Sequence, residues 1–289
     1  MDASAALQQL FGFSEFRPGQ AEAVSAGLAD RDALVVMPTG SGKSLCYQLP
    51  ALMRDDLTIV VSPLVALMHD QAWAIHRIAP GTVTLVNAQR SGAANAQAME
   101  RVRSGEVRLL YVAPERFGSP AFARALGDTR VGLFVVDEAH CVSQWGHDFR
   151  PDYFTLADAA ARVGARATVA LTATATPRVA VDIAARLRLR DPVRVTTGFD
   201  RPNLSFAVVP CKGSLDKQRR LVAVLSADDA LPAIVYAGTR KATEELARIL
   251  GDALEDGVVA YHAGMERGAR TAAQERFMSG EASVIVATN

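Results

Sequence analysis

Short apolar runs alternate with amphipathic stretches along most of this chain, and that alternation limits what it can fold into. The runs Ala33–Met37, Thr58–Val61, Thr82–Val86, Arg108–Val112, Val131–Val136, Ala167–Leu171 and Val193–Thr196 read as strands, with helices between them. Runs without polar interruption, such as Leu133–Val136, suit strands buried on both faces. Strands that alternate with helices in this way predict a parallel sheet covered on both sides, an α/β fold. The pattern breaks between Thr197 and Pro202, where Gly198 and Pro202 sit among polar residues. It restarts with Leu204–Val209, Ala233–Tyr236, Val258–Tyr261 and Ser283–Ala287. A length of 289 residues, 49% of them hydrophobic, accommodates two domains of ordinary size. The expected division is 1–198 and 199–289. The second domain is expected to be incomplete, because the chain stops directly after an apolar strand, where a loop and a helix should come next.

The segment Met37-Pro-Thr-Gly-Ser-Gly-Lys-Ser44 follows a predicted strand and precedes a predicted helix. That is the context of a phosphate-binding loop. Thr39, Gly40, Ser41 and Gly42 form its crown, and the glycines let the backbone amides turn toward phosphate oxygens. The helix behind adds its positive end. Lys43 is placed to reach the terminal phosphates of ATP, and the Ser44 hydroxyl to hold Mg2+. The usual pattern begins with glycine, and here that position is Met37. Lys43 is also the only lysine in the first 211 residues, every other basic residue there being arginine. A compact charge on a flexible stem is what a phosphate cradle requires.

The run Leu133-Phe-Val-Val-Asp-Glu-Ala-His140 ends a strand in two carboxylates and a histidine. Asp137 can hold Mg2+ while Glu138 orients and deprotonates an attacking water. His140 comes directly after and is read as a coupling residue. The Thr-rich strand end Leu171–Thr176 offers hydroxyls that could link the acidic pair to bound nucleic acid.

Composition narrows the class. Basic and acidic groups number 31 each. They remain balanced on either side of the boundary, with 20 and 19 in residues 1–198 and 11 and 12 in the rest. A broad basic clamp on nucleic acid would show a surplus, so any such contact is a local groove. The longest apolar stretch, Thr58–Met68, is interrupted by Ser62 and Pro63 and is too short to span a bilayer. No secretory signal is legible, which predicts a cytoplasmic protein. Cys46, Cys141 and Cys211 are too scattered for a disulfide framework or a zinc site.

Together these motifs resemble superfamily 2 helicases, and the RecQ family in particular. Leu10-Phe-Gly-Phe-Ser-Glu-Phe-Arg-Pro-Gly-Gln20 looks like the adenine-recognition segment of that family. The resemblance implies that Gln20 reads the adenine edge, that Phe13 stacks on the base and that Arg17 packs beside it. His140-Cys-Val-Ser-Gln-Trp-Gly-His-Asp-Phe-Arg-Pro-Asp-Tyr153 is similar to the family's aromatic-rich loop, which couples single-stranded DNA to hydrolysis. Trp145, Phe149 and Tyr153 would then offer faces to bases, and His147 and Arg150 polar and cationic contacts. Ser62–Gln71 and Tyr111–Arg116, with Val235–Arg240 and Tyr261–Met265 in the second domain, resemble further nucleic-acid-facing motifs.

The resemblance covers essentially the whole chain. It implies two RecA-like P-loop domains in tandem and a DNA helicase driven by ATP with Mg2+, travelling 3′ to 5′. Its substrates would be single-stranded and forked DNA in repair and recombination, its site the nucleoid, and its partners single-strand-binding or repair proteins. The family's arginine finger, zinc-binding and winged-helix regions would lie beyond Asn289, so zinc is expected only there. Residues 1–289 alone are expected to be impaired. Two rival readings remain at this point: an RNA helicase of the Asp-Glu-Ala-His type, and a nucleotide-gated binding module that does not hydrolyse.

Overall fold

A computed structural model of the chain describes residues 2–146, 150–198, 203–227, 229–254 and 257–288. The chain divides into two compact units, Met1–Pro202 and Asn203–Asn289.

In the first unit the predicted strands form β1 (Ala33–Val36), β2 (Leu57–Val61), β3 (Val83–Val86), β4 (Leu109–Val112), β5 (Val131–Val136), β6 (Ala167–Thr172) and β7 (Val193–Thr196). They make one seven-stranded sheet in the order β3-β4-β2-β5-β6-β1-β7, with every pair parallel. Side chains alternate between faces, so each strand feeds two cores. Leu34, Val36, Ile59, Val61, Phe134 and Val136 pack with the helices Gly92–Arg103, Leu156–Arg162 and Pro177–Arg186. Val35, Val60, Leu133, Val135 and Val169 pack with Gln20–Leu28, Leu45–Met53 and Val65–Ile78. This two-sided cover explains the uninterrupted apolar runs.

The strand order gathers the motifs at one edge. β6 lies between β5 and β1, so three carboxyl ends stand side by side. With strands about 4.8 Å apart, the ends of β5 and β1 are roughly 10 Å from each other. In open parallel sheets this edge is where ligands bind.

The second unit has β8 (Ala233–Tyr236), β9 (Val258–Tyr261) and β10 (Val284–Ala287), parallel and in the order β8-β10-β9. Leu225, Leu250, Val284 and Val286 form one core against the helices Ser214–Leu225 and Arg240–Ala253. Val259 and Ile285 pack on Ala273 and Phe277 of the helix Arg267–Met278.

One predicted strand is absent. Leu204–Val209 has no regular structure, and Phe206 and Val208 are 93% and 95% exposed. Its alternating pattern is that of a strand, but a strand also needs a neighbour's hydrogen bonds, and none reaches this segment among the described residues. Among the described residues, no helix is long and apolar enough to cross a membrane.

Candidate active site

The loop between β1 and the helix Leu45–Met53 is folded on itself. Gly40 and Gly42 have φ of 84° and 82°, a left-handed conformation that disfavours side chains. A Cβ on Gly42 would also come within 2.5 Å of Gln20 Nε2. Ser41 Oγ donates to the Pro38 carbonyl at 2.7 Å, and Lys43 Nζ donates to the same oxygen at 3.1 Å. Burial lowers the Lys43 pKa, while the nearby Glu138 and Asp137 pull it the other way. The ammonium therefore sits half-buried in the field of the acidic pair. Cys46 lies just behind, with its thiol pushed up to about 12 by burial. It is inert as a nucleophile.

The segment before the first strand closes over this loop. Arg17 Nη1 donates to the Gly40 carbonyl at 2.8 Å. Gln20, only 3% exposed, donates from Nε2 to the carbonyls of Ser41 (3.2 Å) and Gly42 (3.0 Å). Its Oε1 accepts from the Arg17 amide at 2.9 Å. Both amide protons of Gln20 thus go to the phosphate loop. Reading an adenine edge with them requires the amide to turn away from those carbonyls. Phe13 stays 53% exposed, with a ring face free to stack.

The acidic pair sits where β5 gives way to a tight turn. The Asp137 amide still donates to the Val61 carbonyl of β2 at 2.9 Å. Glu138 is then left-handed, with φ 49° and ψ 45°. That conformation costs a non-glycine residue about 1–3 kcal/mol and persists where surrounding contacts enforce it. Burial, and next the Glu138 charge, push the Asp137 carboxyl up to about 6. The partly buried Asp137 and Glu138 carboxylates and the Ser44 hydroxyl at the start of the phosphate-loop helix are hard oxygen donors, the type that fits a divalent cation such as Mg2+.

His140 joins this turn to the neighbouring strand. Its Nδ1 lies 3.2 Å from Glu138 Oε2 and 3.0 Å from Thr172 Oγ1, at the end of β6. His140 is 4% exposed and Thr172 fully buried. Thr172 also accepts the Met37 amide on its carbonyl at 3.1 Å and the Thr174 amide on its hydroxyl at 3.2 Å. The acidic turn and the root of the phosphate loop therefore share one threonine.

The aromatic-rich stretch is divided. His147 and Phe149 lie outside the described residues. Trp145 is exposed, and the Arg178 guanidinium lies over its ring, 3.6 Å from the centroid. The Trp145 amide donates to Ser143 Oγ at 3.2 Å. Ser143 Oγ donates to Asp182 at 2.7 Å, and Asp182 also accepts from Arg186 Nε at 2.9 Å. The helix Pro177–Arg186, which comes after the Thr-rich strand end, thus holds the base of this loop. Gly146 is required there, because a Cβ would come within 2.4 Å of the His140 carbonyl. Arg150 Nη1 donates to the Pro63 carbonyl at 3.3 Å.

Tyr153 corrects the sequence reading. It is 1% exposed, and its hydroxyl donates to the Asp137 carbonyl at 3.1 Å. Its ring belongs to the core beneath the acidic turn and offers no face to a base. Sequence reasoning also passed over Ser143, Arg178 and Asp182. The only signal available was that Arg178 and Asp182 are four apart on one helix face.

Residues 17–183 match the family model described as DEAD/DEAH box helicase. The ATP-dependent DNA helicase RecQ of Haemophilus influenzae is 39% identical over 285 residues, covering 98% of this chain and 45% of that protein. RecQ of Bacillus subtilis is 39% identical over 290 residues, covering 99% and 48%. The chain spans about half the length of the curated relatives it matches. Among solved structures, the Mycobacterium smegmatis helicase Lhr bound to ssDNA and AMP-PNP aligns with a TM-score of 0.71 at 24% identity, covering 99% of this chain and 41% of that one. The parallel sheets are accordingly RecA-like, and with more than half its length matched to the family model, the chain belongs to the DEAD/DEAH box helicase family.

Proposed function

We propose that this chain is the motor portion of a RecQ-type ATP-dependent DNA helicase, with residues 1–198 as the ATP-binding domain and 199–289 as the start of the second motor domain. The observation that carries the reading is the Thr172 junction. It joins the phosphate loop through the Met37 amide and the acidic turn through His140. The helix Pro177–Arg186, next along the chain, holds the Trp145 loop.

In this reading Phe13 stacks on the adenine, with Arg17 and Gln20 beside it. Thr39, Gly40, Ser41 and Gly42 turn backbone amides toward the phosphates, and Lys43 supplies a charge-assisted hydrogen bond to the terminal ones. Ser44 and Asp137 would hold Mg2+, which when bound neutralises the phosphate charge. Glu138 orients a water and accepts its proton. His140 fixes the Glu138 carboxylate against Thr172. Trp145 offers a stacking face to a single strand and Arg150 a cationic edge; by resemblance His147 and Phe149 belong with them. Travel from 3′ to 5′, forked DNA as substrate, single-strand-binding or repair partners and a place at the nucleoid rest on the same family likeness.

The test compares anisotropy of a labelled single-stranded DNA and of the same sequence as RNA. Each is titrated with the protein, with and without Mg2+ and a non-hydrolysable ATP analogue. We expect DNA to bind more tightly than RNA, with an affinity that shifts several-fold on adding nucleotide. Equal binding of RNA, or DNA binding indifferent to nucleotide, would overturn the reading.

A further inference from the structure

Trp73 belongs to none of the motifs described above, yet it is more exposed than Trp145, 64% against 58%. These are the two tryptophans of the chain. Trp73 stands on the helix Val65–Ile78, which packs beside the edge strand β3. Between helix and strand runs a groove of about 310 Å3. His69, Ala72, Trp73 and His76 line it from the helix, and Leu85 and Arg90 from β3 and the loop after it. The four helix positions recur at i, i+3, i+4 and i+7, which makes them one face. Arg77, one turn beyond Trp73, lays its guanidinium over the ring, 4.9 Å from the centroid.

A single exposed tryptophan needs no explanation by itself. Its neighbours are what point to a ligand. No carboxylate lines the groove. Asp70, the one acidic residue of this helix, is not part of the lining, and among the described residues no carboxylate pairs with Arg77. A flat aromatic face with cations beside it suits an anion that carries a ring, and a nucleotide unit of a single strand is such an anion. An acidic peptide laid along β3 would need that strand's open edge. Here Arg90 donates to the Leu85 carbonyl, and all four residues of the strand are buried. The helix also begins two residues after Pro63, whose carbonyl accepts from Arg150 Nη1 at 3.3 Å. Leu64, between them, is 50% exposed. Pro63 thus joins the start of this helix to the stretch that carries Trp145.

We propose that the Trp73 groove is an accessory contact for single-stranded DNA, with a base lying on the Trp73 ring and phosphates meeting Arg77 and Arg90. Every base has a face to stack, so the contact is indifferent to sequence. A second platform on the same unit lengthens the run of strand that is held, and a sequence-indifferent platform lets a motor step along it. The proposal rests on the reading of the chain as a DNA-binding motor.

Trp145→Phe leaves Trp73 as the sole tryptophan, so its emission reports this groove alone. Anisotropy of a labelled oligothymidylate follows binding, and the unlabelled oligomer is titrated against tryptophan emission. We expect Trp73 emission to quench as the oligomer saturates the protein. In the otherwise wild-type chain, Trp73→Ala should lower oligothymidylate affinity roughly 5- to 30-fold, and Trp73→Phe, which keeps an aromatic face, less than about threefold. Arg77→Gln should flatten the dependence of log affinity on log salt by about 0.7, the share of one phosphate contact on a single strand. Emission that stays constant while the oligomer binds overturns the proposal and leaves the Trp145 reading standing. So does a Trp73→Ala variant that binds as tightly as the wild type. Quenching by poly-glutamate but not by oligothymidylate also overturns it, in favour of an acidic protein partner. If the wild type binds no oligothymidylate at all, the DNA reading itself fails and the proposal falls with it.

Discussion

His140 Nδ1 stands 3.0 Å from Thr172 Oγ1, and through that contact the end of β5 meets the end of β6. Thr172 in turn receives the Met37 amide at the root of the phosphate loop. If this junction transmits nucleotide state, Thr172→Val should keep the fold, since the side chain is nearly isosteric. It should leave nucleotide affinity within about twofold and remove most of the nucleotide-dependent shift in DNA affinity, a coupling of about 1–3 kcal/mol. Anisotropy titrations with and without the ATP analogue check this. A shift as large as in the wild type would place the coupling elsewhere.

The Arg178 guanidinium covers one face of the Trp145 ring and would compete with a base for that face if Trp145 stacks on a single strand as proposed. Such a contact is worth about 0.5–1 kcal/mol when exposed. Arg178→Ala should therefore raise single-stranded DNA affinity roughly 2- to 5-fold at about 0.3 M salt, where phosphate attraction is screened. In a Trp73→Phe background, Trp145 emission should change on making the substitution and quench on adding DNA. Emission unaltered by the substitution would argue against the stack in solution.

The Asp137 carboxyl sets a pH dependence with a definite sign. Its pKa is about 6 in the fold against 3.8 as the ordinary value. Between those limits the folded protein holds a proton that the unfolded chain has lost. Without ligand, the Asp137 contribution to stability therefore falls as pH rises through this window, and stays at its low value above it. Cation binding needs the charged form, so the Mg2+-dependent part of nucleotide affinity should fall as pH drops through about 6. Asp137→Asn should abolish that dependence in a pH series of Mg2+ titrations. Persistence of the pH step in this variant would assign it to another group.

At the opposite edge of the first unit, Asp32 fastens three elements. It is 4% exposed and accepts from the amides of Thr168 (2.8 Å) and Arg190 (2.6 Å). The Arg190 guanidinium adds contacts at 3.2 and 3.3 Å, but that side chain is 70% exposed, so the ion pair contributes little. The two orphaned amides dominate the expected loss for Asp32→Ala, about 2–4 kcal/mol. Urea unfolding should show it, while Arg190→Ala should cost under about 1 kcal/mol.

The first sheet was legible in the sequence because most of its strands, the edge strand β7 excepted, are buried on both faces, which leaves continuous apolar runs such as Leu133–Val136. The same logic failed at Leu204–Val209, whose alternation says which side chains could share a face but not whether a neighbouring strand exists. The glycine-rich turn after β1 and the acidic turn after β5 were readable as turns because Gly40 and Gly42 take up a left-handed backbone and Asp137 and Glu138 follow directly on an apolar run. Tyr153 was misplaced because an aromatic among Gly, Asp, Arg and Pro looks like a loop residue, whereas here it anchors the Asp137 carbonyl from below. The Ser143–Asp182 pair joins residues 39 apart in the chain. Partners that distant leave no mark in local spacing.

If Lys43 grips the phosphates, as proposed, it is the residue on which the site depends most. Calorimetric titration of the Mg2+-bound ATP analogue into the wild type and into Lys43→Ala measures that directly. One charge-assisted hydrogen bond is worth about 1.5–3 kcal/mol, so affinity should fall roughly 10- to 100-fold. Equal affinity in the two proteins would contradict the assignment of this loop as the nucleotide site.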